Sequence, residues 1–267
     1  MSAHRTPISA VILTKNEERH IARCIRSAAF ADEVVVVDSG STDATRDIAE
    51  RCGARVVEHE WVNYQVQANA AAAAATHDWV LLLDADEVVS GTLQRSISAT
   101  AEGPMDAADG YVVDRLNDFL GVLLPTESRP SKRRSHVRLF HRRHSGFPAE
   151  RVHEEIRVPG RLLPLDGVLL HWRGQTLSSI AHTFVRYADL EAAELDGRGI
   201  RASGRQMLLR TVARFGWVYV VKRYYRLGTR GLLYSMLKAN SELLRYGRLW
   251  ERQNVPEPMH DPPPELL

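Results

Sequence analysis

Short apolar runs alternate with amphipathic stretches over the first hundred residues of the chain. The run "ISAVIL" (8–13) predicts a buried strand. After it, "EERHIARCIRSAA" places Ile21, Cys24, Ile25 and Ala28 on one helical face. "EVVVVD" (33–38) predicts a β-branched strand. "STDATRDIAERCG" predicts a helix with Ser41 or Thr42 as cap, Asp43 and Asp47 near its start and Gly53 at its end. "ARVVEHE" predicts a third strand, "QVQANAAAAAATHD" a small-residue helix, and "WVLLLDADE" (79–87) a strand that ends in acid. "SGTLQRSISATAEG" predicts another helix and "GYVVDR" another strand.

Strands alternating with helices imply a mostly parallel sheet covered by helices on both faces. Such sheets bind ligands at the carboxyl ends of their strands. The informative residues are therefore Thr14 to Glu17, Asp38 to Asp43 and Asp84 to Glu87. From about residue 116 to 172 the pattern loosens, with further strands expected at "HVRLF" and "VLLHW" (168–172). Beyond Thr176 it predicts helices over roughly 177–197, 204–226 and 229–249. The proline-rich end, 251–267, is expected to be disordered. The expected division is an α/β domain over 1–175, a helical region over 176–250 and that tail.

Composition changes this picture little. The chain has 267 residues, 25% of them charged, and a net charge of +2, too small to imply a nucleic-acid partner. No apolar run approaches the ~18–20 residues of a membrane span. The short run Ile8 to Leu13 does not read as a signal peptide, so a cytoplasmic location is expected. Cys24 and Cys52 fall at apolar helical positions and read as core residues in a reducing compartment.

The chemistry concentrates in "DADE". In a strand, residues i and i+2 point the same way, so Asp84 and Asp86 are expected to converge on one positive partner, most simply a divalent cation. Hard carboxylate ligands favour Mg2+ or Mn2+, ions that bridge protein acids to phosphates. Asp38, at a neighbouring strand end, suits hydrogen bonding to a base or ribose. Neither a G-x-G-x-x-G loop after the first strand nor a phosphate-binding G-x-x-x-x-G-K-[ST] is present.

Taken in order, "ISAVILTKNEERHIARCIRSA", "VVVVDSGSTDAT", Trp61, Gln67, Asn69, "WVLLLDADE" and Val152-His153-Glu154 resemble family 2 glycosyltransferases. More specifically they resemble the lipopolysaccharide-core branch of that family, over about residues 8–250. The resemblance implies a GT-A-like, Rossmann-type sheet with a C-terminal helical appendage. It implies an inverting, metal-dependent transfer of a sugar from a nucleotide-sugar to a saccharide or lipid-linked acceptor in envelope polysaccharide or lipopolysaccharide biosynthesis. Asp38 would contact the nucleobase, with Thr14 and Glu17 lining its pocket. Asp84 would touch the ribose, Asp86 would bind the metal on the diphosphate, and Gln67 and Asn69 would border the donor. Glu154 would be the general base. Ser39 stands where many family 2 members carry a second aspartate, a variant the lipopolysaccharide-core branch shares. The wider family carries E-D where this chain has His153-Glu154. A uridine diphosphate sugar is the expected donor.

Other positions carry two readings. His153 orients Glu154 or packs in the core, and Glu154 is the base or a surface partner of Arg151 or Arg157. His171 is a further metal ligand or holds a backbone carbonyl. The basic cluster Arg129, Lys132, Arg133, Arg134, Arg142 and Arg143 reads as a solvated face. Arg138 differs, because in "HVRLF" it alternates with apolar neighbours and can point into a site. The C-terminal helices mix Trp, Tyr and Phe with Arg and Lys, which suits an anionic membrane surface on the inner face of the cytoplasmic membrane, or plain packing. Two other functions fit the acid cluster less closely: a catalytically silent membrane-surface binding protein, and a metal-dependent nucleotidyltransferase.

Overall fold

A computed structural model describes residues 5–124, 137–148 and 156–255. Strands β1 (Ile8–Thr14), β2 (Glu33–Asp38), β3 (Arg55–Glu58) and β4 (Trp79–Asp84) lie parallel in the order β3-β2-β1-β4. The sheet continues through β8 (Val137–His141), β6 (Gly110–Phe119) and β9 (Leu162–His171) to β5 (Glu87–Val89), with β7 (Val122–Leu123) beside β6. β8 runs antiparallel to β4 and β6, β5 antiparallel to β9, and β6 parallel to β9. The four parallel strands form one half of the sheet, and the remaining strands extend it.

Both faces of that frame are covered, which is why its strands read as unbroken apolar runs. Ile8, Ala10 and Ile12 of β1 pack with Val36, Leu81 and Leu83 in one core. Helices α1 (Ile21–Ala28), α2 (Thr45–Arg51) and α4 (Gly91–Ala101) contribute to this core. Val11 and Leu13 face the other way, into a core closed by Ala68, Ala71 and Ala72 of α3 (Tyr64–Ala74). The α1 face is the expected one: Ile21, Cys24, Ile25 and Ala28 are its buried residues. Cys24 and Cys52 are free thiols, Cys24 buried.

Two local expectations fail for identifiable reasons. The second helix begins at Thr45 and takes no side-chain cap. Ser41 and Thr42 are spent elsewhere, on Asn16: the Ser41 hydroxyl accepts the Asn16 backbone N–H, and the Asn16 side-chain Oδ1 accepts the backbone N–H of Thr42. The expected helix over 204–226 stops at Gly216, where a π turn (Trp217–Val221) and a 3-10 turn (Tyr224–Leu227) take over. Arg223 between them has a left-handed φ of 62°, which no helix tolerates.

The chain forms two compact units, residues 1–118 with 122–173, and 119–121 with 174–267. The second is helical: α5 (Leu177–Gly197), α6 (Gly204–Gly216) and α7 (Gly228–Asn254). α7 continues to Asn254, so 251–254, expected within the tail, are helical, and residues from 256 on lie outside the described ones. Ala192, Tyr246 and Leu249 form its core, and Tyr234 packs between Phe119 and Tyr224. Among the described residues no helix is long and apolar enough to cross a membrane.

Candidate active site

The three acidic or polar strand ends meet at one edge. Thr14 pairs in register with Asp38 across β1 and β2, and Leu13 with Asp84 across β1 and β4. The loops that follow β1 and β2 are laced together. Besides the Asn16 bonds, the Glu17 backbone N–H donates to Thr45 and that of Glu18 to Asp43. The Glu17 carboxylate itself pairs with His20 at 2.6 Å. Thr14 Oγ1 is buried at this edge and has no hydrogen-bond partner among the described residues. A buried hydroxyl without a partner is costly, and a ligand at the edge would relieve it.

Asp38 is fully buried. One carboxylate oxygen accepts the N–H groups of Gly40 (3.0 Å) and Ser41 (2.8 Å), and the other accepts the Ser41 hydroxyl. Its charge is engaged within its own loop. Gln67 is equally buried: its Nε2 donates to Ser39 Oγ and to the His59 carbonyl, and its Oε1 faces His59 Nδ1 at 2.9 Å. It braces the ends of β2 and β3. Asn69 pairs both ways with the Phe147 backbone, at 2.8 and 2.9 Å, and so fixes the segment after β8.

The acid cluster is not built as strand alternation predicts. β4 ends at Asp84, and Ala85-Asp86 turn the chain into β5. The i, i+2 rule therefore lapses, and Asp84 and Asp86 meet different partners. Asp84 shares its partners with Glu87 instead: Arg138 lies 3.3 Å from Asp84 and 2.9 Å from Glu87, and Arg115 lies 3.9 and 3.4 Å away. Asp86 faces His171 Nε2 at 3.1 Å and Arg173 Nε at 2.5 Å, both on Oδ2. Three carboxylates are thus matched by three guanidinium groups of the chain itself. The positive charge the sequence called for is supplied in large part by arginine.

Burial opposes the charged forms of Asp86, Glu87 and Arg138; the partners prevail for Asp86 and Arg138, and burial prevails for Glu87. Burial works against the charged form of Asp86, yet the His171 and Arg173 contacts hold its carboxyl well below the usual carboxylate range. Burial pushes fully buried Glu87 up, against the pull of Arg138. Burial also works against the Arg138 cation, and Glu87 and Asp84 more than offset it and raise the guanidinium's pKa. Burial and the Asp84 carboxylate push the Tyr64 hydroxyl up to about 12, so Tyr64 is a neutral wall of the cluster.

Sequence reasoning missed Arg115, Arg173 and Tyr64. A signal existed for the arginines: each follows an apolar strand, "GYVV" or "VLLHW", as the acids follow theirs. Among the described residues His171 meets side chains and no backbone carbonyl; its Nδ1 faces Asn117 Oδ1 at 2.9 Å. The hydrogen bond to Asp86 Oδ2 is donated by His171 Nε2–H, and that nitrogen would ligate a cation only after giving the proton up. His153 and Glu154 lie outside the described residues, as do Arg129, Lys132, Arg133 and Arg134.

Among the described residues no three His, Cys, Asp or Glu side chains form a metal cluster. The donor set still suits a cation completed by its substrate. Asp86 Oδ1 is buried and has no partner among the described residues, and it lies in the same carboxylate whose other oxygen faces His171 Nε2. One carboxylate oxygen and one imidazole, with diphosphate and water as remaining ligands, fit Mn2+, or Mg2+ bound chiefly through oxygen.

A mixed sheet with a parallel half, and a polar edge at the carboxyl ends of its strands, define an α/β domain with its candidate site at that edge. The family model Glycosyl transferase family 2 matches residues 9–150, more than half the chain, and the chain belongs to that family. An uncharacterised glycosyltransferase of Rickettsia felis is 30% identical, covering 91% of this chain and 89% of its own length. The lipopolysaccharide core biosynthesis glycosyltransferase LpsC of Rhizobium meliloti is 26% identical over 93% of each chain. In fold, the chain matches the crystal structure of S. aureus TarS 1-349 in complex with UDP. The TM-score is 0.50 and the identity 16%, covering 96% of this chain and 93% of that one. The protein is a family 2 glycosyltransferase with a GT-A-like fold.

Proposed function

We propose that the protein transfers a sugar from a uridine diphosphate sugar, with inversion and with a divalent cation, to a lipid-linked saccharide of the cell envelope. The observation that carries the donor side is Asp86: a buried carboxylate with one oxygen unpartnered beside an imidazole, at the edge where nucleotides bind such sheets. Uridine is the base in the TarS complex, and an envelope acceptor agrees with the name of LpsC. A peripheral position on the inner membrane face would bring the enzyme to such an acceptor.

Each residue then has a task. Thr14 and the loop that Asp38 shapes would receive the base, with Glu17 and Gln67 holding that loop's neighbours in place. Asp84, held by Arg138 and Arg115, would accept from the ribose. Asp86 Oδ1 and His171 Nε2 would hold the cation, which when bound neutralises the leaving diphosphate. Arg173, half-exposed on Asp86, would move onto diphosphate oxygens. Asn69 would set the course of the chain towards residues 149–155, where Glu154, oriented by His153, would remove the acceptor's proton from the far side of the anomeric carbon.

A thermal-shift screen of nucleotide-sugars with and without Mn2+ tests the donor assignment, since ligands of the folded state raise Tm with affinity. A uridine diphosphate sugar that stabilises only with the cation is the expected hit. Stabilisation by a nucleoside triphosphate instead, with pyrophosphate as product, would make the protein a nucleotidyltransferase.

A further inference from the structure

The helical unit carries a surface that its own packing does not explain. Between Asp196 and Glu242 the chain has ten Lys and Arg residues and no Asp or Glu. Helix α6 lies within this stretch, and none of its thirteen residues is buried. Leu208, Leu209 and Val212, spaced to share one face, are 57–64% exposed. Trp217, Val220 and Val221 in the following π turn are exposed as well. Arg201, Arg205, Arg223 and Arg226 flank them in the sequence, are exposed, and form no ion pair among the described residues.

We propose that this face of α6 and the π turn lies on an anionic lipid bilayer, with the apolar side chains in the acyl boundary and the arginines among headgroup phosphates. The charge decides the occupant. A second copy would set the four unpaired arginines against four more, with no acid between residues 197 and 241 to pair them. A polyanion in solution, such as a nucleic acid, would match the charge but leave the leucines and valines in water. A bilayer with anionic headgroups satisfies both. Lying on the surface also agrees with the absence, among the described residues, of a helix fit to span.

The test uses the full chain and vesicles of phosphatidylglycerol with phosphatidylcholine, or of phosphatidylcholine alone, read by sedimentation at low and high salt. It needs no donor and no turnover, so its failure is separate from failure of the transferase reading. The protein is expected to sediment with the anionic vesicles and to be released by salt. Arg201→Gln and Arg205→Gln are each expected to weaken binding by roughly fivefold. Leu208→Gln with Val212→Gln should abolish it while circular dichroism and Tm stay parental, since neither residue is buried. Equal binding to neutral vesicles, no binding at all, or parental binding by the leucine-valine variant would each overturn the proposal. A concentration-dependent dimer lost in that variant would overturn it in favour of self-association.

Discussion

At the scale of single residues, the site rests on arginines placed against acids. Glu87 is fully buried and sits between Arg138 and Arg115. Removing one partner of such a pair leaves a charge without compensation in a low dielectric, which costs more than the pair itself contributes. Arg138→Met is therefore expected to destabilise the protein by about 3–5 kcal/mol, read by chemical denaturation. Adding Glu87→Gln should recover part of that loss, because the orphaned charge goes with it. A double variant no more stable than the single one would show that Arg138 acts through packing. This pairing was half legible in the sequence. Alternation in "HVRLF" pointed Arg138 inward, but its partners lie some fifty residues earlier, and nothing local names them.

At the scale of elements, periodicity served where packing is two-layered. The parallel strands and α1 are visible because both faces of the sheet, or one stripe of the helix, must be apolar. Turns that break a pattern were less visible. "DADE" continues a strand in sequence, yet the chain turns at Ala85-Asp86, so the acids divide between two sets of partners. The end of α6 was also hidden, because Trp217 to Val221 keep an apolar, helix-compatible composition with no Pro. Gly167 marks another such break. The β6–β9 register slips between Val112 and Asp114, and Gly167 in the slipped segment has a φ of +100°. A Cβ there would stand 2.3 Å from the Leu93 backbone nitrogen of α4. Gly167→Ala is expected to cost about 3 kcal/mol or more, from left-handed strain and overpacking together. Because β9 delivers His171, Mn2+ affinity should fall with Tm. An alanine variant of parental Tm would mean that the strand's close approach to α4 is not required.

At the scale of the whole molecule, the α/β unit reads from sequence because its motifs sit at strand ends in a fixed order. The helical unit does not, because composition records that it is basic and apolar without saying which faces are covered. The structure separates the two: Tyr224, Tyr234 and Tyr246 are buried, whereas the α6 face is not. The central claim concerns the first unit, that Asp86 holds a cation on a donor diphosphate while Glu154 acts only on the acceptor. Calorimetric titration of UDP with Mn2+ into the parent, Asp86→Asn and Glu154→Gln proteins tests it most directly. Asp86→Asn keeps shape but loses the charged ligand, so Mn2+-dependent binding should disappear. Glu154→Gln should bind as the parent does, with transfer reduced roughly 10²–10⁴-fold. Undiminished Mn2+-dependent UDP binding by Asp86→Asn would contradict the account.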